Sequence, residues 1–239
     1  MNESARIVTF KMDGREIGAR EDETILQVAT DNGIFIPTLC YLEGLSAMGG
    51  CRLCMVEVKE TSKLVPSCVT YAREGMEVIT NSERLAKYRI MLLELFFAER
   101  NHICAICVAN GRCELQNLTV NLGMTHVHFP YFYPRVPVDA SHERFVLDHN
   151  RCILCTRCVR VCAEIEGAHT LDVMTRGMDS RIITDLNQAW GSSVTCTRCG
   201  KCVNVCPTGA LSEKGKAVAD IAVKKQFLPY LTRMRRGKQ

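Results

Sequence analysis

Apolar and polar residues alternate over Arg6–Met12 around Ile7, Val8 and Phe10, which predicts a β-strand. Asp13-Gly14 supplies a hairpin turn, and Arg15–Ala19 reads as the returning strand. The period then changes to that of a helix. Thr24-Ile-Leu-Gln27 opens it, with Thr24 placed to cap the first turn and Gln27 to reach back. Gly33 ends the helix and Pro37 forbids its continuation. Val56–Lys59 and Met76–Ile79 read as further strands. A longer helix begins at Asn81-Ser82-Glu83, with Leu85, Tyr88, Met91, Leu92, Leu95 and Phe96 on one predicted face. His126–Pro137 is an extended connector, because Pro130, Pro134 and Pro137 break both helix and central strand. Its aromatic residues are expected to pack rather than to bind a cofactor. Arg181-Ile-Ile-Thr184 predicts a strand or hairpin inside the segment Ala163–Thr195.

Composition changes the picture at one residue type. The 239-residue chain holds 15 cysteines. Met1–Phe10 has no apolar signal-peptide core, so a secreted disulfide scaffold is not expected, and an odd count would leave one thiol over. The cysteines are expected to be metal ligands in a reducing, cytoplasmic setting, with any membrane association peripheral and through partners. Ile90–Ala98, the most apolar stretch, is interrupted by Glu94 and falls far short of the ~20 residues of a membrane span. The net charge of +4 hides an uneven distribution. Residues 214–239 carry eight Lys or Arg against the single acid Asp220, a tail of +7 on a remainder of −3. Without an aromatic platform beside it, that tail reads as a solvated or partner-docked terminus rather than a nucleic-acid site.

The cysteines fall into four groups. The first is Cys40, Cys51, Cys54 and Cys68, in a loop made pliable by Gly44, Gly49 and Gly50. Four thiolates suit zinc or an iron–sulfur cluster, but gaps of ten and thirteen residues fit no zinc-finger pattern. The second is His102-x-Cys104-x2-Cys107-x5-Cys113, in which His102 either completes the ligand set or packs beside it. The third and fourth repeat one spacing: Cys152-x2-Cys155-x2-Cys158-x3-Cys162, then Cys196-x2-Cys199-x2-Cys202-x3-Cys206-Pro207. This is the bacterial two-cluster ferredoxin run, whose fourth cysteine ligates the other cluster. Cys152, Cys155, Cys158 and Cys206 are therefore expected to hold one 4Fe–4S cluster, and Cys196, Cys199, Cys202 and Cys162 the other. All 15 cysteines are then assigned.

The first two groups resemble the N-terminal iron–sulfur region of the large electron-transfer subunit of respiratory complex I and of iron-only hydrogenases. That resemblance, over residues 1 to about 212, implies a 2Fe–2S cluster on Cys40, Cys51, Cys54 and Cys68. It implies a 4Fe–4S cluster on Cys104, Cys107, Cys113 and a histidine. The family places three residues between that histidine and the next cysteine, whereas one separates His102 from Cys104 here. The whole chain except its tail is similar to the small diaphorase subunit (HoxU type) of bidirectional NAD(P)-linked nickel–iron hydrogenase.

The expected fold class is α+β. It comprises a β-grasp 2Fe–2S ferredoxin-like domain (1–80), a small helical His/Cys cluster domain with its connector (81–140), and a two-cluster ferredoxin-like domain (141–212) before the basic tail (213–239). No G-x-G-x-x-G or P-loop motif is present, so no nucleotide site is expected and no catalytic residue is assigned. The resemblance implies one 2Fe–2S and three 4Fe–4S clusters passing single electrons. The partners it implies are a flavin- and NAD(P)H-binding diaphorase subunit, the hydrogenase small subunit and, on a branch, ferredoxin. The alternative is the same role in an NAD-linked formate dehydrogenase or a complex I-like NADH dehydrogenase. Arg157, Arg160, Arg198 and Lys201, interleaved with the cysteines, read either as cations favouring the reduced clusters or as surface charge.

Overall fold

The hairpin comes first, as the alternation predicts. In the computed structural model, β1 (Ile7–Met12) and β2 (Arg15–Arg20) pair antiparallel from Met12↔Arg15 outward. Asp13 and Gly14 both take positive φ, the conformation a two-residue hairpin turn demands. Val8, Phe10 and Met12 face the core, while Ile7 points outward. The buried face is therefore the even-numbered one, and Ile7 is not part of it. Helix α1 (Ile25–Asp31) starts at a full capping box: Gln27 N–H donates to Thr24 Oγ1, and Gln27 Oε1 accepts from Thr24 N–H at 2.8 Å. Gly33, at φ 70°, closes its end.

Strands β3 (Met55–Val58), β4 (Lys63–Pro66) and β5 (Glu77–Ile79) complete a five-stranded sheet in the order β2-β1-β5-β3-β4. Strand β1 runs parallel to β5, and every other pair is antiparallel. The sequence pattern misses β4, which is short, edge-placed and ended by Pro66. Phe10, Met12, Ile25, Val56 and Val78 form the centre of the core between helix and sheet. Each such side chain contributes roughly 1.5–3 kcal/mol through burial.

The structure describes residues 6–216 and 227–228, which divide between two compact units. The first holds the sheet and α1 and covers 1–41 and 47–92; the second covers 42–46 and 93–239. Apart from residues 214–216 and 227–228, the basic tail lies outside the described residues.

Helix α2 (Glu83–Glu99) supplies residues to both units, and its buried stripe differs from the predicted one. Leu85, Arg89, Leu93, Glu94 and Ala98 are buried, whereas Met91 and Leu95 are each 37% exposed. Polar residues displace the apolar pattern because each finds partners. Arg89 donates to the carbonyls of Leu53, Met55 and Thr80 at 2.9–3.2 Å. Glu94 accepts from the backbone N–H of His128 and from its Nδ1.

The second unit is built from short elements. Helix α3 (Glu114–Asn121) follows Cys113. Strands β6 (Val138–Asp139), β7 (Phe145–Asp148) and β10 (Leu211–Glu213) form a sheet in the order β10-β7-β6. Strands β8 (Leu171–Met174) and β9 (Arg181–Thr184) form the hairpin expected around Arg181–Thr184. Helix α4 (Arg157–Arg160) runs into a π-turn, Val161–Glu166, and α5 (Lys201–Val205) ends at Cys206. Their core gathers Phe145, Leu147, Val161, Ile182, Trp190 and Val205. Residues 126–137 carry neither helix nor strand, as the prolines dictate. Tyr131, Phe132 and Tyr133 there are exposed, against the expectation that they pack: the chain turns left-handed at Tyr133 (φ 45°), and Tyr131 and Tyr133 stack on each other at 5.6 Å instead.

Candidate metal centres

The first cysteine group is a set of two pairs within the first unit. Cys54 Sγ and Cys68 Sγ lie 3.4 Å apart. Cys40 Sγ accepts the backbone N–H of Cys51 at 3.4 Å, and Cys51 Sγ that of Cys40 at 3.5 Å. All four residues are buried. Arg52, between Cys51 and Cys54, takes a φ of 59°, the left-handed turn that swings the sulfurs inward. The shared hydrogen with Cys40, then burial, push the Cys51 thiol up, and the same pairing with Cys54 pushes Cys68 up. The hydrogen bond from Cys68 lowers Cys54 to about 7.

The other groups surround three cavities of about 340, 330 and 350 Å³ in the second unit. Among the described residues, no group of three or more His, Cys, Asp or Glu converges as ligands to a single ion. Four Cys or His side chains round each cavity that do not close on one ion suit a polynuclear cluster rather than zinc.

The first cavity is lined by His102, Cys104, Cys107 and Cys113. His102 Nε2 is buried and has no hydrogen-bond partner among the described residues, an arrangement with a cost unless something in the cavity takes the lone pair. Burial, then the cations of Arg151 and Arg100, lower His102 to about 4, so its ring is neutral at neutral pH. Its ring is held against Phe97 at 5.1 Å. The closeness of the chain here is extreme at Gly209, where a Cβ would fall 2.6 Å from Cys107 Sγ.

The second cavity is lined by Cys152, Cys155, Cys158 and Cys206, the third by Cys162, Cys196, Cys199 and Cys202. Three cysteines in each come from one run and the fourth from the other. The repeat is also present in the backbone. Leu154 and Thr156 flank Cys155 at φ 52° and 55°, and Arg198 and Gly200 flank Cys199 at 57° and 73°. A left-handed residue on either side of the middle cysteine curls each loop round its cavity. Burial pushes the Cys152 and Cys155 thiols up to about 11 and 12, so binding as thiolates needs a cation in the cavity.

Three of the four interleaved cations are buried or half-buried. Arg157 is 2% exposed and pairs with both carboxylate oxygens of Glu114 at 2.8 and 3.0 Å. Arg160 donates to the carbonyls of Cys155 and Ser46. Lys201 pairs with Glu166, and only Arg198, paired with Glu143 at 3.1 Å, is well exposed. Sequence reasoning missed Thr208 and Gly209, whose one linear signal is their position just after Cys206-Pro207; it singled out Glu114, in the Glu114-Leu-Gln116 stretch after Cys113, without its pairing to Arg157. Glu114 follows Cys113, and its N–H donates to Pro207 O at 2.8 Å. Thr208 lines both of the first two cavities.

Three family descriptions match successive stretches: "2Fe-2S iron-sulfur cluster binding domain" over 5–83, "NADH-ubiquinone oxidoreductase-G iron-sulfur binding region" over 89–128, and "NADH-quinone oxidoreductase subunit 3, ferredoxin-like domain" over 144–212. The NAD-reducing hydrogenase HoxS subunit gamma of Cupriavidus necator is 34% identical over 208 residues, 87% of each chain. The chain belongs to the family of that subunit. Its relatives are subunits of oxidoreductase complexes, and the chain itself carries the 2Fe–2S and ferredoxin-like iron–sulfur domains. A subunit in the crystal structure of an NAD+-reducing NiFe hydrogenase, in the H2-reduced state, superposes with a TM-score of 0.84 at 37% identity, covering 90% of both chains. The NADPH-Fe(3+) oxidoreductase subunit alpha of Geobacter sulfurreducens is 36% identical over 208 residues. The chain spans only about a quarter (24%) of that relative's length, and the same share of a Rhizobium meliloti NADH-quinone oxidoreductase subunit. No helix among the described residues is long and apolar enough to cross a membrane.

Proposed function

We propose that the chain relays single electrons between a flavin-bearing NAD(P)H diaphorase subunit and the small subunit of a nickel–iron hydrogenase. Cys40 with Cys51 and Cys54 with Cys68 hold the two irons of a 2Fe–2S cluster. His102, Cys104, Cys107 and Cys113 hold one 4Fe–4S cluster; Cys152, Cys155, Cys158 and Cys206 a second; Cys162, Cys196, Cys199 and Cys202 a third. The observation that carries the reading is the grouping of four ligands round each cavity of the second unit, with the orphaned His102 nitrogen supplying the place of a sixteenth thiolate. When bound, the clusters supply one-electron chemistry at potentials the protein sets. The chain's own residues do the rest. They hold thiolates in fixed geometry, exclude water and direct N–H groups at sulfur. Two-electron chemistry on NAD(P)H and hydrogen chemistry on nickel–iron belong to the partners. A chain whose cysteines serve as cluster ligands rather than disulfides works in a reducing compartment, the cytoplasm.

Iron and acid-labile sulfide analysis tests the cluster count. The proposed set requires about 14 irons per chain by cluster type, and fewer than about ten would overturn it. The similarity to the Rhizobium NADH-quinone oxidoreductase subunit supports a second reading, the same relay in a complex I-like NADH dehydrogenase, for which an NAD-linked formate dehydrogenase is the further alternative. Metal analysis of the native complex separates them: nickel supports the hydrogenase, and molybdenum or tungsten the formate enzyme.

A further inference from the structure

One buried imidazole has no part in the ligand sets. His142, 3% exposed, lies between β6 and β7. Its Nδ1 accepts the backbone N–H groups of Arg144 at 3.0 Å and Phe145 at 3.2 Å. A ring nitrogen that accepts carries no proton, so the proton of this ring sits on Nε2. Nε2 lies 3.9 Å from Cys196 Sγ. The donor of the ring is thus committed to a sulfur of the third cavity.

The surroundings keep it there. The ring stacks on Phe145 at 4.8 Å and leans on Trp190 at 4.9 Å. The backbone under it is gripped by the turn at Gly191, where a Cβ would come within 2.4 Å of Ser141 O and 3.2 Å of His142 N. Gly191 N–H donates to Ser141 Oγ at 2.8 Å, and Trp190 N–H to Asp139 Oδ2 at 2.7 Å. Phe145, Trp190 and Cys196 line the same cavity. Trp190 adds a buried Nε1 with no partner among the described residues. The second cavity differs: its lining contains no indole among the described residues, and Thr208 Oγ1, 3.7 Å from Cys206 Sγ, gives its proton to Arg151 O at 2.7 Å.

We propose that His142 is a positioning residue that sets the potential of the centre at Cys162, Cys196, Cys199 and Cys202 by donating Nε2–H to the Cys196 sulfur. The inference rests on the ligand assignment above. An N–H aimed at a ligand sulfur favours the more electron-rich, reduced state and raises the potential. Two centres of near-identical ligand spacing thereby differ in potential, with the centre beside His142 the higher.

Redox titration of the intact complex, followed by EPR, tests this. His142→Phe keeps a ring and removes the donor. The midpoint of this centre is expected to fall until, at the wild-type midpoint, the oxidised form exceeds the reduced by about tenfold, ~59 mV for a one-electron couple. The other centres are expected to hold their midpoints. His142→Gln, with an amide donor, is expected to recover part of the shift. An unchanged midpoint in His142→Phe at full iron and sulfide content overturns the proposal and leaves the ligand assignment standing. A wild-type protein without this centre overturns the ligand assignment and the proposal with it. Should the phenylalanine variant fail to fold, pulsed EPR on wild-type complex with isotopically labelled histidine decides. A nitrogen coupling on this centre, weaker than that of an iron-bound imidazole, supports the proposal, and its absence refutes it.

Discussion

At Gly209 the protein has no room for a methyl group: a Cβ there would stand 2.6 Å from Cys107 Sγ and 3.3 Å from the Ala109 side chain. Gly209→Ala is therefore expected to displace the thiol and empty the centre at His102, Cys104, Cys107 and Cys113. Iron analysis would read a loss of about four of about 14 atoms, with the other EPR signals intact. Full iron content in the variant would show that the loop gives way instead. His102→Ala tests the fourth corner of the same centre. Nε2 is buried without a partner, so its removal is expected to change the midpoint of this centre, and an unchanged midpoint would exclude ligation. These two positions differ in how readable they are. His102 stands in the chain beside the cysteines it faces, so spacing alone nominates it. Gly209 lies about a hundred positions from Cys107, and only folding brings them together.

Helix α2 shows where periodicity fails as a guide. Its apolar residues mark one face, yet the stripe actually buried includes Arg89 and Glu94, because backbone carbonyls and His128 satisfy them. Capping and turns were legible, since Thr24, Gln27 and Gly33 act on near neighbours. Partners 34 residues away, as for Glu94 and His128, were not. Burial alone would raise the Glu94 carboxyl, but hydrogen bonds from the His128 ring and N–H hold it below the usual range. An unfolded glutamate titrates near ~4.3. The stability from this contact is thus complete above that pH and is lost as pH falls through the lower folded value. Glu94→Gln is expected to flatten the acid limb of a melting-temperature profile below about pH 4. Parallel acid limbs in the two proteins would count against it. Between α3 and α4, the Glu114–Arg157 pair buries the guanidinium almost completely. Glu114→Ala removes the counter-charge of a guanidinium that is 2% exposed, so it is expected to cost on the order of 3 kcal/mol in denaturant unfolding of the loaded protein. A cost below about 1 kcal/mol would mean that other contacts carry Arg157.

For the molecule as a whole, the sequence repeat was more informative than any boundary drawn along it. The segment Leu42–Ser46, inside the Cys40–Cys51 loop, belongs to the second unit: Leu45 enters the core with Phe145 and Trp190, and Ser46 N–H donates to Glu164 at 2.9 Å. A linear division of the chain has no means of expressing that excursion. The two ferredoxin runs, by contrast, announce their own crossing. Three cysteines on one left-handed loop face one cavity, and the chain then enters a helix. From Cys158 to Cys162 the path runs through α4 into the π-turn, a rise of ~6 Å at ~1.5 Å per residue. That rise carries the fourth thiol away from its own loop to the lining of the other cavity, and α5 does the same for Cys206. Cys162→Ala is therefore expected to damage the centre of Cys196, Cys199 and Cys202, leaving that of Cys152, Cys155 and Cys158 intact. Cys206→Ala is expected to do the reverse. EPR of the reduced variants, with the two cubanes distinguished by midpoint, reads both outcomes. Loss of the first-run signal alone in Cys162→Ala would mean that each run closes its own cluster, and the helices would then be linkers rather than the levers that join the two halves.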